Sequence, residues 1–178
     1  MSDRSASLLT VGHPARLRLP VIPALALILA ITAACESAAQ TFTATVVAVH
    51  DGDTISVRTR DETIRIRLEG IDCPEYRQPF SARARQFTSS MVHRRTVTVE
   101  PRGRDQYDRL LARVRVNGTE LNEALVRNGL AWHFARRTPD RVLADAERAA
   151  RVARVGIWSQ RNPVPPWEWR RRHPRDSR

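Results

Sequence analysis

Three carboxylates and two arginines recur at short, defined spacings in the middle of this chain. Asp53 follows a short turn-like segment, and Arg67, Asp72 and Glu75 come within the next 22 residues, with Arg109 further along. Carboxylate oxygens bind a hard cation, and a guanidinium group binds a phosphate with two parallel hydrogen bonds. A chain that brings both kinds of group to one site is suited to cutting phosphodiester bonds.

The spacing also suggests how these groups would divide the chemistry. Phosphodiester hydrolysis builds negative charge on a pentacovalent transition state, and that charge needs positive donors. Arg67 and Arg109 would supply such donors from two separate segments. Pro74 favours an extended backbone at the residue before it, and Glu75 lies close enough to Asp72 to orient a water molecule.

Each segment alone has a simpler interpretation. Asp51–Thr54 could be a hairpin turn or a fragment of an EF-hand loop, although Ile55 stands where an EF-hand needs its third ligand. Asp72–Glu75 could be a helix start or a bend, and the arginines could be solvated surface residues. The joint spacing of all the segments favours a common site.

The formal net charge is +11, and all 30 basic residues are arginine. A strongly basic chain attracts polyanions and meets them faster, although an ordinary solvated basic surface would carry the same charge. Nothing in the composition indicates an oligomer, so we expect a monomer with no stable protein partner.

The N-terminal segment has the order of a secretory signal peptide. Arg16 and Arg18 precede an uncharged apolar run over 19–34, and small residues follow up to Ala39. The run is short for a membrane span. Export to the periplasm or the medium is expected, and a lipoprotein signal with a lipidated Cys35, or an uncleaved anchor, remains an alternative.

Hydrophobic periodicity predicts five strands and three helices. The strands are expected over 41–50, 54–58, 63–68, 96–99 and 111–116, and the helices over 80–94, 120–128 and about 138–155. In the third strand Ile64, Ile66 and Leu68 alternate with arginines, so Arg67 should face away from the core. Short strands with one intervening helix predict an α+β fold built on an OB-type, five-stranded Greek-key barrel with about three helices.

The predicted organisation is a signal peptide over 1–39, a barrel domain over 40–160 and a tail over 161–178. Three prolines are expected to prevent a helix in the tail: Pro163, Pro165 and Pro166. Its tryptophans and arginines either form a tail that binds nucleic acid or an acidic surface, or the tryptophans pack on the barrel and the arginines face solvent.

The sequence resembles the staphylococcal nuclease family. The match in the first motif covers Asp51–Val57 and Arg67–Glu75, separated by nine residues. The second motif, Asp105–Arg109, departs from the family pattern, which usually has a basic residue at position 106 and a glycine at position 108. Asn122–Leu130 and Ile157–Ser159 also look like family segments, so the resemblance covers roughly 42–160.

The resemblance implies a Ca²⁺-dependent endonuclease that acts on DNA and RNA and leaves 3′-phosphates. Its implied site residues are Asp53 and Asp72 as carboxylate ligands, Cys73 as a ligand through its backbone oxygen, Arg67 and Arg109 on the scissile phosphate, Glu75 as general base and Tyr107 on the nucleotide.

Two alternatives remain open beside that reading. A non-catalytic nucleic-acid-binding module could keep the same barrel. A basic lipoprotein would be attached to a membrane through a lipid on Cys35. The presence of all five charged site residues favours the enzyme. Asp108, beside Arg109, could pair with that arginine or point to solvent; aspartate tolerates a positive φ, so we expect activity to survive.

Overall fold

A closed barrel of five strands carries the residues of interest. The computed structural model describes residues 40–174, so the predicted signal peptide and the last four residues lie outside the described part. The strands are β1 (Phe42–Val49), β2 (Thr54–Arg58), β3 (Thr63–Leu68), β4 (Ile71–Asp72), β5 (Thr96–Arg104), β6 (Leu110–Val116), β7 (Thr119–Glu120) and β8 (Trp132–His133). The helices are α1 (Ser81–Val92), α2 (Leu121–Arg127), α3 (Arg141–Val152) and α4 (Pro166–Arg172), with a 3₁₀ turn at Gly156–Ser159.

The main sheet has the strand order β3-β2-β1-β5-β6-β7. An additional pairing of β3 with β6 closes the first five of these strands into the barrel. The closing pair is parallel and sets Ile66 opposite Leu110 and Arg67 opposite Leu111. The predicted α+β fold with a five-stranded barrel is therefore confirmed. Within residues 40–174, no helix is both long enough and apolar enough to cross a membrane.

The alternation predicted for β3 is present. Ile66 and Leu68 are buried in the barrel, whereas the side chain of Arg67 is 19% exposed on the other face. Burying an isoleucine or leucine side chain stabilises the fold by about 2 kcal/mol. If the pairing of β3 with its neighbours shifted by one residue, its arginines would be buried in place of Ile66 and Leu68. The packing of the core therefore fixes the register of β3, and this register keeps Arg67 on the outer face.

Several element boundaries differ from the predicted ones, and two of the differences have a clear physical cause. The helix expected to start near Thr138 begins at Arg141, because Asp140 is its N-cap and accepts a hydrogen bond from the Leu143 N–H at 3.0 Å. Strand β5 runs five residues beyond the predicted Val99, since it continues to pair with β6 across a bulge.

The expectation that prolines prevent a helix in the tail is wrong. Pro166 is the first residue of α4, a position where its missing N–H costs nothing and its fixed φ suits a helix. Trp167 packs with ring centroids 5.6 Å from Trp132 and 5.4 Å from Phe134. The tail helix therefore lies against β8.

Asn122 ties together the strands around the turn that follows β3. Its side-chain nitrogen donates to the backbone oxygens of Glu69 at 2.9 Å and Ala112 at 3.2 Å, and its oxygen accepts from the Val114 N–H at 3.2 Å. The side chain is fully buried, so none of these groups can turn to water instead.

We expect Asn122→Ala to lower the free energy of unfolding by about 2 kcal/mol or more, because it leaves buried backbone groups without a partner. The matched control is Asn128→Ala, which removes an exposed asparagine with one hydrogen bond to the Ala124 oxygen. Urea unfolding of both variants measures the difference. Equal stability of the two variants would contradict this role of Asn122.

Candidate functional site

Arg67 bridges two buried carboxylates. Asp53 and Asp72 are each 1% exposed, and the two arms of the Arg67 guanidinium bind one oxygen of each. The Arg67 NH2 group lies 2.6 Å from Asp72 Oδ1, and the NH1 group contacts Asp53 Oδ1. Three residues singled out by the sequence therefore share one ion-paired cluster.

A tight turn fixes Asp53. The Asp53 N–H donates to Asp51 Oδ1 at 3.0 Å, and the Cys73 N–H donates to Asp53 Oδ2 at 2.6 Å. A Cβ atom on Gly52 would lie 2.7 Å from Cys73 Sγ and 2.8 Å from Ala84 Cβ, so only glycine fits between these groups. The Asp-Gly-Asp spacing thus lets the Asp53 carboxylate accept a hydrogen bond from the backbone of the Asp72–Glu75 segment.

Backbone pairing fixes Asp72, and a short loop carries Glu75. Asp72 lies opposite Trp132 in the antiparallel pair of β4 and β8. Three residues on, the Glu75 N–H donates to Gln78 Oε1 at 2.9 Å, and the Glu75 side chain is 21% exposed. Glu75 is therefore at the rim of the cluster, where a water molecule can reach it.

Arg170 is a member of the cluster that the sequence did not reveal. Its NH2 group lies 2.9 Å from Asp72 Oδ2, its NH1 group lies 3.2 Å from Asp72 Oδ1, and NH1 also contacts Glu75 Oε1. Gln78, whose side chain is almost fully buried, donates to the Val164 oxygen at 2.7 Å. The loop of Glu75 and the segment leading into α4 are thus joined directly.

The structure matches neither interpretation of the tail in full. Trp167 packs on the barrel, as one of them expected, but Arg170 contacts the acidic cluster instead of solvent. Arg171 and Arg172 are exposed. No spacing in the sequence marks Arg170, because a contact across 98 residues depends on where the tail helix docks.

Burial dominates the electrostatics of the cluster. Burial raises the pKa of the Asp53 carboxyl, the carboxylates of Asp51 and Asp72 add to that rise, and the Arg67 guanidinium opposes it. Burial lowers the pKa of Arg67, but the facing carboxylates of Asp53 and Asp72 raise it by more. The net effect is a raised pKa, so the guanidinium stays protonated. Burial also raises the pKa of the Cys73 thiol, which is a free cysteine.

Arg109 and Tyr107 lie on a separate turn that Asp105 organises. One Asp105 oxygen accepts from the backbone N–H groups of Tyr107 at 2.9 Å and Arg109 at 3.0 Å, and the other accepts from Arg109 Nε at 2.7 Å. Burial raises the pKa of Asp105, but these hydrogen bonds outweigh that effect and lower it. Tyr107 is 70% exposed, with the Arg109 guanidinium 5.3 Å from its ring centroid.

The closing pair of the barrel sets this turn beside the strand that carries Arg67. Arg109 immediately precedes Leu110, which lies opposite Ile66 in the parallel pairing. The backbone of Arg109 is therefore next to that strand. The Arg109 guanidinium itself pairs with Asp105, outside the cluster formed by Asp53, Arg67 and Asp72.

Asp108 does not pair with Arg109. Its backbone has a φ of 60°, in the left-handed region that aspartate tolerates, and its side chain is 86% exposed. The carboxylate pairs with Arg104 at 3.0 Å. Of the two possibilities considered for Asp108, the structure supports the one in which the carboxylate faces solvent.

The donor set fits a hard divalent cation. Asp53 and Asp72 offer carboxylate oxygens, and carboxylates buried this deeply require positive charge beside them. Guanidinium groups supply that charge here, from Arg67 to both carboxylates and from Arg170 to Asp72. Among the described residues, no three His, Cys, Asp or Glu side chains converge as a metal-binding group.

Comparison with known proteins identifies close relatives. The family model described as staphylococcal nuclease homologue matches residues 65–160. Protein ParB of Escherichia coli is 42% identical, over 71% of this chain and 77% of that protein. An uncharacterized endonuclease of Escherichia coli O157:H7 is 41% identical over 71% of this chain and 84% of its own length. A micrococcal nuclease of Shigella flexneri is 37% identical over 73% and 81%, respectively.

Proposed function

The chain belongs to the staphylococcal nuclease family, and from that membership we propose that it is a Ca²⁺-dependent endonuclease that cuts DNA and RNA and leaves 3′-phosphates. The nuclease class follows from the family and from relatives whose names include endonuclease and micrococcal nuclease. The choice of ion, the action on both nucleic acids and the position of the product phosphate are our proposals.

One observation carries the proposal. Arg67 joins Asp53 to Asp72 in a buried cluster, and Glu75 lies at the rim of that cluster. The cluster gathers three carboxylates, those of Asp53, Asp72 and Glu75, around the two guanidinium groups of Arg67 and Arg170. The one carboxylate in excess leaves negative charge that a divalent cation can neutralise.

The proposed ligands are the carboxylates of Asp53 and Asp72 and the backbone oxygen of Cys73. A divalent cation held there supplies positive charge against the phosphate in the transition state. Cys73 would contribute only its backbone, which agrees with a buried thiol whose raised pKa keeps it neutral.

The remaining steps belong to side chains of this chain. Glu75, partly exposed beside Asp72, accepts a proton from the attacking water as that water adds to phosphorus; the P–O5′ bond breaks, and the leaving 5′-oxygen takes a proton from solvent, which leaves a 3′-phosphate and a 5′-hydroxyl. Arg67 and Arg109 donate hydrogen bonds to the phosphate oxygens as negative charge grows on them. We assign Tyr107, whose ring is exposed, to contact with the nucleotide next to the scissile phosphate.

We further propose that the protein is exported, on the basis of the leader that ends at Ala39. Cleavage after Ala39 would release the barrel to the periplasm or the medium, whereas lipidation at Cys35 would hold it at the cell envelope. A site that depends on Ca²⁺ suits either location better than the cytosol, where free Ca²⁺ is kept scarce.

The direct test is cleavage of DNA and RNA with Ca²⁺ and then with a chelator. We expect cleavage only with Ca²⁺, products that carry 3′-phosphates, and a loss in rate of about 10²- to 10³-fold for Glu75→Gln and for Arg67→Ala. Glu62→Gln and Arg65→Ala, both exposed, are the matched controls. Absence of cleavage of both substrates would refute the proposed function, and unchanged rates in the two site variants would refute the assigned roles.

The turn around Arg109 gives a second test. Asp105→Asn should lower kcat/KM by about 10²-fold, because a neutral amide no longer orients the Arg109 guanidinium through a charged hydrogen bond. Asp108→Asn makes the same chemical change on an exposed carboxylate and should leave kcat/KM within a few-fold of the wild type. A larger effect at Asp108 than at Asp105 would contradict the geometry of this turn.

A further inference from the structure

The tail helix α4 inserts a guanidinium group into the proposed cation site. We propose that Arg170 is a further residue of this site, an internal counter-ion that competes with the divalent cation for Asp72 and so sets how tightly the enzyme binds it. This inference rests on the proposed function, because it takes Asp72 as a cation ligand.

Competition follows from the atoms involved. Asp72 Oδ2 accepts from Arg170 NH2 at 2.9 Å, and Asp72 Oδ1 accepts from Arg67 NH2 at 2.6 Å and Arg170 NH1 at 3.2 Å. Both oxygens of the carboxylate are therefore engaged by guanidinium groups. A divalent cation bound to Asp72 would lie beside a group of the same charge in a buried site, where like charges repel strongly. Cation binding at Asp72 and the Arg170–Asp72 pair therefore weaken one another.

Glu75 is held by the same group. Arg170 NH1 contacts Glu75 Oε1 as well as Asp72, so a single side chain engages a proposed ligand and the proposed base. While this contact lasts, Glu75 Oε1 accepts from Arg170 and is not available to a water molecule. Release of Arg170 would therefore open the cation site and free the base together.

Arg170 is better placed to leave than Arg67. Arg67 belongs to a barrel strand paired on both sides, and its side chain is 19% exposed. Arg170 belongs to a helix of seven residues, and its side chain is 35% exposed. A helix of seven residues has little stability of its own, so its side chains are held mainly by tertiary contacts.

The anchors of α4 lie before Arg170 in the chain. Trp167 packs against Trp132 and Phe134, and the Val164 oxygen accepts a hydrogen bond from Gln78. The guanidinium can therefore turn away from Asp72 by rotation of its own side chain while the helix remains docked. The aromatic contacts keep Arg170 near the site, so it returns when the cation leaves.

The test is isothermal titration calorimetry of the full mature chain with Ca²⁺. We expect Arg170→Ala to bind Ca²⁺ about tenfold more tightly than the wild type, which is within the usual range of coupling between two competing interactions. Arg171→Ala, an exposed arginine on the same helix, removes the same net charge and should leave the affinity within twofold. Arg170→Gln keeps a polar side chain without the charge and should also bind more tightly, which guards against a folding defect in the alanine variant.

Thermal unfolding gives a second readout that needs no substrate. Without Ca²⁺, Arg170→Ala should have a lower Tm than the wild type, because the acidic cluster loses a counter-ion; saturating Ca²⁺ should raise its Tm more than that of the wild type. Equal or weaker Ca²⁺ affinity in both Arg170 variants would overturn the inference, as would the absence of Ca²⁺ binding in every variant. Cleavage of DNA by the wild type, measured in parallel, tests the proposed function separately.

Discussion

Two carboxylates buried at the wall of a barrel must have positive charge beside them, and this requirement explains much of the structure around them. Asp53 and Asp72 are almost completely excluded from water. Burial raises the pKa of the Asp53 carboxyl, and the Arg67 guanidinium opposes that rise. Two guanidinium groups, one from a barrel strand and one from the C-terminal helix, meet the requirement in this structure.

The barrel fixes one of these groups and leaves the other exchangeable. Arg67 is held by the register of β3, which the buried side chains of Ile66 and Leu68 determine. Arg170 depends on a short helix and on aromatic contacts several residues away. On this account, when Asp72 binds a divalent cation it no longer needs Arg170, and Arg67 gains freedom to donate to a phosphate. Arg109 is held apart by Asp105, so its orientation does not depend on this exchange.

Much of this arrangement could be predicted from local sequence. The alternation in Thr63–Leu68 placed Arg67 on the outer face, and the positive φ of Asp108 fell within what aspartate tolerates. Arg170 could not be predicted, because its position depends on the docking of a helix that the prolines were expected to prevent. Asp105 was missed for a related reason: its role lies in hydrogen bonds within one turn, and the residue type alone does not distinguish it from Asp108.

The most direct measurement of the central claim is a crystal structure of the mature protein with Ca²⁺ bound. Asp53 and Asp72 are predicted to coordinate the ion through their carboxylate oxygens, with the Cys73 backbone oxygen nearby and the Arg170 guanidinium displaced from Asp72. An ion bound elsewhere, while both carboxylates keep the guanidinium partners described above, would contradict the assignment of this cluster as a cation site.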